Sequence, residues 1–144
     1  MLQNGESAEY NHNVTKEIQK KFGETFKDFT YLHFNDEYAR RCGFIERTVQ
    51  GALISAIIVK DIVLSFGDSA ILKEHNITFF KPIYPDQDFN IELYVLKNIK
   101  NQVIRIRTRV IRNGETHYQG MTKIKVFEDI QESYFKDTKY NINI

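Results

Sequence analysis

The densest apolar run in the chain extends from Gly51 to Gly67. There Ala52, Leu53, Ile54, Ala56, Ile57, Ile58, Val59, Ile62, Val63 and Leu64 leave too few polar positions for a solvent face. A helix apolar nearly all round must be buried on nearly all sides, so the pattern predicts a central helix over about Gly51 to Phe66. Beyond Gly67 the period changes to two. Ile71 to Phe80 reads as a strand, then Phe89, Ile91, Leu93 and Val95, then Ile104, Ile106, Thr108 and Val110 alternating with Arg105, Arg107 and Arg109. Asn113-Gly114 separates that strand from Thr116 to Phe127 and tolerates the positive φ angles of a tight hairpin. Upstream, Val14, Ile18, Phe22 and Phe26 recur every four residues around Thr15, a residue type suited to cap a helix, so a short amphipathic helix is expected. From Asp28 to Gln50 no period persists, except for a helical piece over Asn35 to Arg41 with Asn35 as its cap. Residues 1–13 and 128–144 are polar and aperiodic and read as a flexible leader and tail, leaving one domain over 14–127.

Three or four antiparallel strands following one buried helix define an α+β fold, a curved sheet wrapped around a central helix. Such a small sheet has open edges, and pairing with a second copy covers them, so a homodimer is expected. A chain of 144 residues leaves little room for a second domain. Lys and Arg number 20 against 19 acidic residues, which gives no electrostatic reason to expect nucleic acid or a membrane as partner. The single cysteine, Cys42, cannot close an internal disulfide, and a reducing cytoplasm fits it best. No secretory or transit pattern opens the chain, and no apolar run approaches the roughly 20 residues of a spanning helix.

One polar constellation suggests chemistry. Asp28 and His33 stand five apart in the irregular segment, a short span before the glycine that opens the central helix. An imidazole can exchange a proton near neutral pH, a carboxylate can orient it or share a water with it, and free N–H groups at a helix start can hold a developing oxyanion. Such a trio suits water addition or proton abstraction beside a carbonyl. By themselves, an Asp and a His at this spacing are more often a turn acceptor and a capping or surface histidine.

The segment Asp28-Phe29-Thr30-Tyr31-Leu32-His33, the run Asn35 to Phe44 and the step Val49-Gln50-Gly51-Ala52-Leu53 together resemble the signature of the MaoC-like hydratases, the (R)-specific enoyl-thioester hydratase family. Asn76-Ile77-Thr78-Phe79-Phe80-Lys81-Pro82-Ile83 is similar to that family's strand ending in Phe-x-x-Pro-Val, and the likeness covers about Val14 to Phe127. The resemblance implies a hot-dog fold, usually dimeric, and a lyase hydrating enoyl thioesters or dehydrating 3-hydroxyacyl thioesters on coenzyme A or acyl carrier protein, with no cofactor. Carried over by position, Asp28 and His33 match the catalytic pair, and Gly51 matches the glycine whose N–H holds the thioester oxygen, with Gln50 beside it. The chain departs from the motif at Thr30 and Tyr31, where the family has Asn-Pro, and at Gln50, where it has histidine.

The remaining polar residues have plainer readings. His12 reads as solvated, His117 as a strand-face residue, His75 as a satisfied inward histidine and Cys42 as a small packing residue. No histidine spacing suggests a metal site. The arginine row reads as a solvated face, or as a contact for the phosphates of a coenzyme handle. Asp61, the only acid between Gly51 and Phe66, reads as an ion-pair partner or a helix-end contact. It would be the catalytic carboxylate if the protein were instead a hot-dog thioesterase. A non-catalytic acyl-thioester-binding protein is the third alternative.

Overall fold

The computed structural model describes residues 2–67, 69–99 and 102–127. The expected tail at 128–144 lies outside them. Strand β1 (Ser7–Asn13) is followed by α1 (Lys16–Phe26), α2 (Tyr31–Phe34), α3 (Asp36–Arg41), the central helix α4 (Gly51–Phe66), and strands β2 (Ala70–Phe79), β3 (Asp88–Ile99), β4 (Val103–Arg112) and β5 (Glu115–Val126). The five strands form one antiparallel sheet in the order β1-β3-β4-β5-β2.

The core forms where the period-two faces meet the helix. Phe89, Ile91, Leu93 and Val95 of β3, with Ile104, Ile106 and Val110 of β4, pack with Ile54, Ile58, Ile62 and Phe66 of α4, all nearly or fully buried. Each such side chain contributes about 1.5 to 3 kcal/mol by leaving water. This is the hot-dog arrangement, a sheet curled around one helix. The Asn113-Gly114 turn behaves as its chemistry requires, with φ of 50° and 75° at the two residues.

Three expectations change. Residues 7–13 are not a loose leader: they form β1, paired with β3 from Ser7↔Tyr94 to Asn13↔Asp88. The side chains of Asn11 and Asn13 donate to those of Asn90 and Asp88 across the pair, at 2.8 and 2.7 Å. That strand escapes a hydrophobicity pattern because it is a polar sheet edge, half-exposed along its length. Helix α1 is capped by Thr15, whose hydroxyl accepts from Ile18 N–H at 3.2 Å, yet Ile18 and Phe26 are exposed and the buried positions are Gln19 and Gly23. Helix α4 matches its expected bounds but is not covered all round, since Ala52, Ala56, Lys60 and Leu64 face outward at four-residue spacing.

Histidine 12 is also not solvated. Its Nε2 lies 2.7 Å from Oδ2 of Asp61, a fully buried carboxylate on α4. Lys60 Nζ meets the other oxygen at 2.7 Å as a charge contact without hydrogen-bond direction. One helical turn on, Ser65 Oγ donates to the Asp61 carbonyl at 2.9 Å and shares a 2.7 Å bond with the Tyr10 hydroxyl, so β1 is pinned to the central helix twice.

Candidate active site

The irregular stretch between α1 and α4 is built around close approaches. At Gly23 a Cβ would lie 2.8 Å from the Asp28 carbonyl oxygen and 2.6 Å from the Phe34 ring, so only glycine lets α1 press against this loop. The helix ends with Lys27 in the left-handed region (φ 58°), and the N–H groups of Lys27 and Asp28 both return to the Gly23 carbonyl. That turn delivers Asp28 to the surface. Its Oδ1 accepts from the Thr30 hydroxyl at 2.7 Å and from Thr30 N–H at 3.3 Å. The Thr30 hydroxyl holds the carboxyl below its ordinary range; burial opposes it, and Thr30 N–H and the nearby His33 add smaller contributions in the same direction as the hydroxyl.

His33 rides on the single turn of α2. Its Nδ1 lies 2.8 Å from the Thr48 carbonyl oxygen and 3.3 Å from the Thr48 hydroxyl. A carbonyl only accepts, so Nδ1 carries the proton and Nε2 is the ring's bare nitrogen whenever the imidazole is neutral. Thr48 is held in place on several sides. Arg47 forks onto Asp36 through Nε (2.8 Å) and Nη2 (3.1 Å), with its N–H on the same carboxylate at 3.0 Å, which drives the Asp36 carboxyl far below its ordinary range. Thr48 N–H bonds to Leu32 O, Val49 N–H to Ile83 O, and Gln19 Nε2 donates to the Thr48 carbonyl at 2.7 Å.

Gly51 opens α4, and no side chain caps that helix. The N–H groups of Gly51 and Ala52 precede the first intrahelical bonds, which run from Leu53 and Ile54 to the Gln50 carbonyl. A Cβ on Gly51 would stand 2.7 Å from the Phe79 ring. The helix start and the imidazole share one cavity of about 370 Å³, bounded by His33, Thr48, Gly51, Phe79, Phe80, Pro82 and Tyr118 among others. Its walls are mostly apolar and aromatic. Burial pushes the Tyr118 phenol up to about 12, against a smaller opposing contribution from the Ile83 backbone, so that hydroxyl stays protonated at neutral pH.

Of the residues singled out by sequence, His33 and Gly51 line this cavity, while Asp28 and Gln50 do not. Gln50 is buried, its Nε2 3.4 Å from the Gln19 carbonyl and its Oε1 without a protein partner. Sequence reasoning missed Thr48, Phe79, Tyr118 and Gln19; a glycine inside an amphipathic helix, Gly23, was the one available hint that α1 is tightly engaged. Asp61 lies away from the cavity, engaged by His12. Cys42 is exposed rather than packed. His75 is half-buried, its Nδ1 2.8 Å from Thr122 Oγ1, and His117 sits on β5 with Nδ1 donating to the Pro82 carbonyl at 2.9 Å. In the arginine row, Arg109 grips Glu92 and Arg107 stacks over Tyr94. Among the described residues no cluster of His, Cys, Asp or Glu is placed to hold a metal, and no helix is long and apolar enough to cross a membrane.

A curled sheet around an apolar helix, with a histidine and that helix's uncapped start lining one cavity, defines a hot-dog protein. Residues 3–119 match the model of the MaoC like domain, and the chain belongs to that family. It is 28% identical over 97 residues to a mitochondrial 3-hydroxyacyl-[acyl-carrier-protein] dehydratase of Arabidopsis thaliana, covering 65% of this chain and 58% of that protein's length. The fold superposes on R-hydratase PhaJ1 from Pseudomonas aeruginosa in its unliganded form with a TM-score of 0.81 at 27% identity, over 89% of this chain and 84% of the other. An (R)-hydratase from A. caviae involved in PHA biosynthesis also gives 0.81, at 19% identity over 88% of this chain and 98% of the other, a likeness of fold.

Proposed function

We propose that this protein is an (R)-specific hydratase/dehydratase that interconverts enoyl and 3-hydroxyacyl thioesters carried on coenzyme A or acyl carrier protein. The observation that carries this reading is the meeting of the His33 imidazole and the Gly51 helix start in one apolar-walled cavity. The thioester carbonyl accepts from Gly51 N–H, and electron density drawn onto that oxygen makes C3 electrophilic. In this reading Asp28, which lies outside the cavity lining but close enough to His33 to feel its charge, forms with His33 a coupled pair acting on one water: its oxygen bonds to C3, its proton passes to the pair, and a proton returns from the pair to C2. The double bond is consumed and both side chains end as they began. Dehydration is the reverse. The names of the Arabidopsis dehydratase and the Pseudomonas hydratase support the same substrate class.

The departures at Thr30, Tyr31 and Gln50 are compatible with an active site in this reading. Tyr31 stands at the proline position, and in place of that rigid turn Thr30 ties the loop by two hydrogen bonds to Asp28; Gln50 lies behind the site rather than in its wall. The decisive experiment is hydration of a short trans-2-enoyl-CoA. His33→Ala and Asp28→Asn are each expected to lower kcat by about 10²- to 10⁴-fold with an unchanged circular-dichroism spectrum. Wild-type turnover in both variants would refute the assignment, and stabilisation by acyl-CoA without turnover in the wild type would indicate a binding protein.

We propose as well that the protein is a homodimer. Strand β2 is a sheet edge on which Ile71, Leu72 and Phe79 stand exposed, with Phe80 just beyond it at the cavity wall.

A further inference from the structure

The tautomer of His33 is set chiefly by the Thr48 carbonyl, closer to Nδ1 than the Thr48 hydroxyl is, and that carbonyl is shared. The Thr48 carbonyl lies in the irregular stretch before α4, outside helix and sheet, its peptide tied on the far side by Val49 N–H to the Ile83 carbonyl. It receives Nδ1–H of His33 at 2.8 Å and, on its other side, Nε2–H of Gln19 at 2.7 Å. Gln19 reaches it from α1, 29 residues away in sequence. It is 1% exposed, on the face of α1 turned toward the protein. A residue selected only to fill that place would be apolar, because a buried amide costs free energy unless its polar atoms find partners. Here the amide N–H₂ finds the one oxygen that also orients the imidazole.

We propose that Gln19 is a positioning residue for His33. By occupying one lone-pair direction of the Thr48 carbonyl, it holds that oxygen where the other direction meets Nδ1–H, and so keeps the bare Nε2 available to the reacting water. This role rests on the hydratase/dehydratase reading of His33 for its kinetic consequence, but not for its structural one. Without Gln19 the Thr48–Val49 peptide keeps its Val49 N–H bond to the Ile83 carbonyl, but the oxygen loses one of its two side-chain donors and can tilt from the ring, and the Nε2–H tautomer then gains population.

The test uses the full chain and two readouts. In the wild type, ¹⁵N spectra of the neutral His33 ring are expected to show the proton on Nδ1; a proton on Nε2 overturns the proposal at once. Gln19→Met, near in volume but without a donor, is expected to mix the two tautomers. It should also lower kcat about tenfold, the size of one lost neutral hydrogen bond, with KM within about twofold. In a His33→Ala background the same substitution is expected to change kcat no further, since its effect passes through the imidazole. Unaltered His33 signals in folded Gln19→Met, or an equal loss in both backgrounds, overturns the proposal. If Gln19→Met does not fold, Gln19→Asn, one methylene shorter, withdraws the amide from the carbonyl and carries the same readouts. A wild type without turnover defeats the functional reading alone, and the tautomer measurement still decides the role of Gln19.

Discussion

Glycine 51 has helical neighbours and no need of a positive φ, so its small size must serve something other than the backbone. The ring of Phe79 occupies the place of a Cβ, at 2.7 Å. Phe79 is half-exposed, its ring edge-on against Tyr118, so it has solvent on one side into which to shift. Gly51→Ala is therefore expected to fold with a melting temperature within a few degrees of wild type, since alanine suits a helix better than glycine by up to about 1 kcal/mol. The displaced ring narrows the approach to the helix N–H groups, so kcat/KM for an enoyl thioester should fall about tenfold or more. A variant with intact kcat/KM would show that substrate does not approach Gly51 closely.

At the scale of elements, the docking of β1 on α4 is the least anticipated feature. His12 and Asp61 are 49 residues apart, and neither carries a pattern that announces the other. Removing His12 leaves a fully buried carboxylate with only the misaligned Lys60 ammonium near it. Breaking a buried pair from one side typically costs 3 to 5 kcal/mol; with Lys60 retained, His12→Ala is expected to lose about 2 to 3 kcal/mol in urea denaturation. A loss below about 0.5 kcal/mol would mean that the contact is energetically idle. The contrast with the other elements is instructive. Helix α4, the α3 cap at Asn35 and the Asn113-Gly114 hairpin were legible because each depends on neighbours in sequence: an apolar run, an Asn side chain 2.9 Å from Tyr38 N–H, a dipeptide tolerant of positive φ. His33 and Gly51 were legible through motif spacing. Gln19, Thr48 and β1 were not, because their partners lie far along the chain and a half-exposed polar edge has no hydrophobic period to read.

For the whole molecule, acid sensitivity has two separate windows. Burial lowers the pKa of His75 from its ordinary 6.5, so the unfolded chain takes up a proton there that the folded protein resists. Its contribution to stability is present above pH 6.5 and declines as pH falls below that. The carboxyls of Asp28, Asp36, Glu74 and Glu115 are all lowered, each by hydrogen bonds to a neighbouring side chain, from ordinary values of 3.8 and 4.5. Their contribution is lost only below those values. The melting temperature of the wild type should therefore drop more between pH 7.5 and 5.5 than that of His75→Gln, which keeps a polar group but cannot charge; equal drops would exclude His75 as the cause. Sedimentation equilibrium at micromolar concentration is expected to give twice the chain mass, and Leu72→Lys on the exposed β2 edge to shift it toward monomer. A monomeric wild type would leave that edge without its proposed cover.

The pairing of β1 with β3 also imposes an order of events during synthesis. Asn13 finds its partner at Asp88, 75 residues further on, and Ser7 pairs with Tyr94. When α4 has left the ribosome, Asp61 exists but the strand that bears His12 has no sheet to join. The first strand made is thus obliged to wait for the third, and the nascent chain carries a polar N-terminal ribbon until β3 emerges to receive it.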